Sequence, residues 1–193
     1  MAKKKSYKAA IIAGFIGLFL LLNKKAKAMA ANKFSLSKFT GNTKIKLLQI
    51  QDALINAGIE TPLQLQLALA QILLETGQFT SKSRVAALNN NYSGIKWLNK
   101  SYQKASKGSP VPGSERSSNP DWPMNYYAKF ASDTDWAKDF IRILSLGRNK
   151  PINATTVEEY VSRLAKNRYF DARTPAKIEN YRKNVALFFE KIG

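Results

Sequence analysis

The strongest constraint on the fold is one apolar stretch, residues 62–74, which reads PLQLQLALAQILL. Drawn as a helix, it is apolar on nearly every side, with glutamines only at positions 64, 66 and 71. A helix apolar all round is buried in the middle of a domain rather than laid on its surface. Its ends are also legible. Thr61 suits the N-cap, Pro62 the first helical position, and Gly77 the turn that stops it. Other elements must wrap around this helix, which predicts a mainly α domain.

The helix closes on a carboxylate, Glu75, followed by Thr76 and Gly77. Three effects disfavour its charge there. Burial desolvates it, the helix C-terminus is already partly negative, and apolar neighbours such as Leu73, Leu74 and Phe79 compensate little. Each raises its pKa, and a carboxyl kept protonated near neutral pH can serve as a general acid. The competing reading sets Glu75 on the exposed side of the last turn, paired with Lys82 or Arg84.

Composition narrows the chemistry further. The chain has no histidine and no cysteine, which removes imidazole bases, thiolate nucleophiles, disulfides and the usual zinc ligands. Catalysis would rest on carboxylates, Tyr, Lys or backbone groups, and only 13 acidic residues exist. The formal charge of +18 favours polyanionic surroundings: nucleic acid, anionic lipid or acidic wall polymers. No RNP, zinc-finger or P-loop pattern supports nucleic acid.

Residues 1–30 hold seven lysines and no acid around the apolar run AAIIAGFIGLFLLL. That pattern predicts a membrane anchor or a signal segment, short for a span unless the flanking lysines snorkel. Lysines on both sides disfavour a buried core helix. Residues 31–41, rich in Lys, Ala, Ser and Asn, read as a linker, and residues 42–193 as the folded domain. Within it, helices are expected over 43–58, 61–76, 81–88, 132–147 and 174–193. Another, in TTVEEYVSRLAKN, would start with a Thr155–Glu158 capping box. Residues 89–124 are turn-rich, with strands expected near SGIKWL and NYYAKFA.

The segment LALAQILLETGQFTSKSRVAALNNNYSGIKW resembles the glucosaminidase family of peptidoglycan hydrolases, glycoside hydrolase family 73. The matching residues are Ala70-Gln71, Leu74-Glu75-Thr76-Gly77, Ser81, Asn89-Asn90 and Gly94-Ile95-Lys96. Two further blocks, NYYAKFASDTDWAKDFIRIL and RLAKNRYFDARTPAKIENYRKNV, resemble later parts of that family in the same order, so the likeness covers roughly residues 45–190. It implies a lysozyme-like helical domain with a small irregular or β lobe. It also implies cleavage of the β-1,4 bond of the glycan strand, with Glu75 as general acid. Glu115 is the candidate second carboxylate, with Asp121 in reserve, and Tyr169 would position substrate or water.

Substrate contacts are expected from Asn91, Tyr92, Gly94, Lys96, Trp97, Asp121 and Trp122. The rings at 92, 97 and 122 could stack on sugars or cover core. ETG and GIKW depart mildly from the family's ESG and GIKG. The partners expected are peptidoglycan and, through the N-terminal segment, a membrane, with no nucleic acid, metal or cofactor. The place expected is membrane-anchored facing the periplasm or exterior, secreted, or in a virion membrane. The sequence leaves open inverting hydrolysis, substrate-assisted retention and a lytic transglycosylase route, as well as a catalytically silent module of the same fold.

Overall fold

The computed structural model describes residues 33–80, 84–113, 116–119 and 122–193. The expected anchor or signal segment lies outside the described residues, as do Glu115 and Asp121. Among the described residues no helix is long and apolar enough to cross a membrane.

Among the described residues, six α-helices and a two-stranded sheet follow in chain order. They are α1 (Gly41–Ala57), α2 (Pro62–Glu75), α3 (Arg84–Asn89), β1 (Ala105–Pro110), β2 (Tyr126–Phe130), α4 (Asp133–Leu144), α5 (Val157–Lys166) and α6 (Pro175–Ile192). The protein is thus mainly helical with a small sheet, as the sequence pattern implies.

The all-apolar segment forms α2 and lies at the centre. Leu65, Leu67, Ala68, Leu69, Ala70, Gln71, Ile72 and Leu73 are all buried on it, against α6 and α1. Each large apolar side chain removed from water contributes about 1.5–3 kcal/mol. Its start is a full capping box: Thr61 Oγ1 accepts the Gln64 N–H, and Gln64 Oε1 accepts the Thr61 N–H. Around α2, α4 packs on α1 and α5 on α6, with Trp136 and Phe140 stacked at 5.2 Å inside.

Two expected boundaries are corrected. The linker reading fails from Phe34 on. Leu36 and Phe39 are buried, the Phe34 N–H donates to Gln51 Oε1 at 3.0 Å, and Lys191 covers the Phe39 ring. Two apolar side chains in a polar run suffice to dock it. The cap of α5 is Thr156, one residue later than expected: its Oγ1 accepts the Glu159 N–H, while the Glu159 carboxylate takes the Thr155 N–H and hydroxyl.

The small lobe is built differently. β1 and β2 pair antiparallel, with Ala105 opposite Phe130 and Lys107 opposite Ala128, and an irregularity before Pro110. β2 falls where NYYAKFA predicted a strand, but β1 lies in ASKGSP, which carries no alternation of apolar and polar residues. SGIKWL contributes only a bridge between Lys96 and Tyr127. Buried amides lace these pieces together. Asn91 Nδ2 donates to the Ile95 and Ala128 carbonyls, and Asn91 Oδ1 accepts the Ile95 N–H, at 2.8–2.9 Å. Asn89 bonds Ser109, and Asn125 closes the 117–119 loop. Gln103 joins Lys96 and Leu98 to Asp139 of α4.

Candidate active site

At the end of α2 the chain turns back on itself tightly. Gly77 is left-handed (φ +55°), and the Gln78 N–H returns to the Leu73 carbonyl at 2.9 Å. Gln78 and Phe79 also hold positive φ, near +60°, which costs strain for bulky residues. Partners on both sides hold this turn: Thr43 Oγ1 of α1 donates to the Gln78 carbonyl, and the buried Thr76 hydroxyl donates back to Ile72 and accepts from the Phe79 N–H. Glu75 is thereby fixed as the last helical residue.

Solvent reaches the Glu75 side chain, yet protein surrounds it densely enough to desolvate its charge and raise its pKa. The rise comes from the protein packed around the group, not from exclusion of water. Its one hydrogen bond among the described residues comes from the Tyr181 hydroxyl of α6, 2.7 Å from Oε1, and this opposes the rise. Glu75 is exposed, as the competing reading expects, and its partner among the described residues is Tyr181; Lys82 and the Arg84 side chain lie outside the described residues.

Three tyrosines face this carboxyl: Tyr160, Tyr169 and Tyr181. Burial first, and the Glu75 charge second, push all three hydroxyls well above their usual range. They donate in different directions. Tyr160 donates to Gln71 Oε1, one turn back along α2; Tyr169 donates to the Ser93 carbonyl at 2.9 Å; only Tyr181 donates to Glu75. Gln71 is fully buried, and its Nε2 meets no well-formed hydrogen-bond acceptor among the described residues, although the amide lies close enough to Tyr169 to oppose the rise of its pKa.

The structure therefore brings Glu75 and Tyr169 together and ties Tyr169 to the residue preceding Gly94. Gly94 is exposed with φ +63°, and a Cβ there would stand 3.9 Å from the Tyr127 ring. Lys96 lies over that same ring at 4.4 Å. Trp97 is half-buried, its backbone N–H donating to the Tyr126 carbonyl, and Trp122 is 46% exposed.

Two expected sugar contacts are corrected. Asn91 is 1% exposed with its carboxamide spent on backbone. Tyr92 is 3% exposed, set edge-on against Trp136 and Phe79, with its hydroxyl on Asp133. One edge of Tyr92 still lines a cavity of about 280 Å3 with Asn42, Lys46, Phe79, Thr80 and Asn90.

Sequence reasoning missed Tyr181, Tyr160 and Gln71. A signal for Tyr181 existed. Ile178, Tyr181, Val185 and Ile192 share the inward stripe of α6, and a tyrosine on such a stripe needs a partner for its hydroxyl. A Glu closing a buried helix is an obvious acceptor. Comparisons with protein-family models, curated proteins and solved structures find no match for this chain.

Proposed function

We propose that the chain is a peptidoglycan hydrolase of lysozyme-like architecture that cleaves the β-1,4 glycosidic bond of the glycan strand, of the N-acetylglucosaminidase type. The observation that carries this reading is Glu75: a solvent-reachable carboxyl with a raised pKa, no cationic partner among the described residues, and a fixed hydrogen bond to Tyr181. Such a group is poised to give up a proton.

In the step envisaged, protonated Glu75 transfers its proton to the glycosidic oxygen as the C1–O bond breaks. The bonding pair leaves with the oxygen, and the sugar gains oxocarbenium character. The Tyr181 hydroxyl then stabilises the carboxylate left behind. Tyr169, held on the Ser93 carbonyl, would stand beside the substrate or the attacking water. Glu115 or Asp121 would supply the second carboxylate. Gly94, Lys96, Trp97 and Trp122 are the sugar contacts retained here. The charge of +18 would keep the enzyme on an acidic wall, and the N-terminal basic and apolar segment would hold it at a membrane facing that wall.

Digestion of purified peptidoglycan with mass analysis of the ends tests this. Reducing N-acetylglucosamine is the expected product. Reducing muramic acid would reassign the chain as a muramidase, and anhydro ends as a transglycosylase. Glu75→Gln should lower the rate by about 10²–10⁴-fold in each case. No product from the parent chain would refute the hydrolase.

A further inference from the structure

We infer that Tyr181 is the positioning residue of this site: locked by Phe170, its hydroxyl pins Oε1 of Glu75, so that the acidic proton stands on Oε2. This rests on Glu75 being the acid, but the geometry singles out Tyr181 independently. Its hydroxyl makes one hydrogen bond among the described residues, to Glu75 Oε1 at 2.7 Å. Its proton therefore has one acceptor, and a carboxyl proton on the same oxygen would collide with it. Oε2 meets no protein donor among the described residues, which leaves it open to a substrate oxygen.

The other two tyrosines cannot do this. Their protons are committed to Gln71 and to the Ser93 carbonyl. Nor is the Tyr181 ring free to turn away. Phe170 lies parallel to it, at 3.9 Å between centroids and 5° between planes. Phe170 follows Tyr169, which is anchored at Ser93, and precedes Asp171, which Arg173 and Lys177 clamp at the entrance to α6. Ser93, Tyr169, Phe170, Tyr181 and Glu75 thus form one connected wall from the small lobe to the end of α2.

The test is a titration of the Glu75 carboxyl by ¹³C NMR in the full chain, assigned by the signal lost in Glu75→Gln. In Tyr181→Phe, loss of a hydrogen bond to the charged form should raise the Glu75 pKa by about one unit. The alkaline limb of the activity profile should rise with it, with kcat falling and KM nearly unchanged. Tyr169→Phe, which removes a bond made to Ser93, should leave the Glu75 titration close to the parent. Phe170→Leu, which only loosens the ring, should raise it by less than Tyr181→Phe and guards against a misfolded first variant. An unmoved Glu75 titration in folded Tyr181→Phe or Phe170→Leu, or an equal rise in Tyr169→Phe, overturns the assignment. Because the titration needs no turnover, it judges Tyr181 even if the parent chain digests nothing, an outcome that would sink the hydrolase reading alone.

Discussion

The helical body and the small lobe solve the same problem by different means. The body is held by apolar burial on α2, by side-chain caps at Thr61, Ser132, Thr156 and Thr174, and by stacked rings. Among the described residues the lobe buries few apolar side chains, Tyr92, Ile95, Val111, Ala128 and Phe130, and buried amides do the joining. Charges differ in the same way. In the body Arg142, Arg163 and Arg182 end on Asp139, Glu159 and Glu179. In the lobe Lys96 and Lys107 lie over the Tyr127 and Tyr126 rings, whose faces attract a cation. A greasy body can desolvate a carboxyl; a polar lobe with basic side chains and exposed rings can meet an acidic glycan. Chemistry and recognition would then be divided between the two.

The largest expected effects test whether the two regions are held as differently as this. Leu69→Ala in α2 removes fully buried apolar volume and should cost about 2–5 kcal/mol. Asn91→Ala removes three hydrogen bonds and strands the buried Ile95 N–H, which should cost about 2–4 kcal/mol. The two losses should differ in kind. Hydrogen exchange should quicken throughout the body for Leu69→Ala, but chiefly at the Ile95 and Ala128 amides for Asn91→Ala. If Asn91→Ala costs under about 0.5 kcal/mol by chemical denaturation, the amide lacing is ornamental.

A smaller effect belongs to Gly108 in β1. A Cβ there would stand 2.7 Å from the Tyr127 carbonyl oxygen and 2.9 Å from Asn89 Oδ1. The nearest obstacle is backbone, so relief requires the hairpin itself to shift. Gly108→Ala should cost about 1–3 kcal/mol and loosen exchange in β2 while α2 stays protected. Uniform loosening of both would show that lobe and body open as one unit.

The same division decided what could be read from sequence. Thr61, Pro62 and Gly77 marked α2 because caps and turns act within a few residues, and 3.6-residue periodicity reports a buried face directly. ASKGSP gave no warning of β1, since its partner lies some 20 residues away and it pairs through its backbone, braced by Asn89 on Ser109, rather than through alternating side chains. Asn91 looked like a surface polar residue; only three dimensions reveal that its carboxamide stands in for a strand partner. At the site, Glu75 was legible from its place at the end of an apolar helix. Tyr181, 106 positions along the chain, was not, although its inward face on α6 announced a buried hydroxyl.

The smallest effect concerns stability against pH, where carboxylates within the body oppose one another. Glu159 is pushed down to about 2, first by the Thr155 N–H and then by Arg163. It favours the folded chain above the ordinary carboxyl pKa, and that contribution is lost as pH falls toward 2. Glu75 has the opposite sign. Its folded pKa lies above the usual 4.5, so between those values the folded state holds a proton that the unfolded chain has released. Stability contributed by Glu75 therefore falls as pH rises from 4.5 through the folded pKa, and the cost is fully present above it. Glu75→Gln keeps an acceptor for Tyr181 and removes that charge. At pH 7 it should stabilise the chain slightly, by an amount solvent screening of this exposed group keeps small, and the gain should vanish at pH 4. A catalytic acid held against its own charge must show this trade between activity and stability. A Glu75→Gln variant less stable than the parent at pH 7 would mean that the ionised carboxyl belongs to the scaffold, and the acid would have to be sought elsewhere.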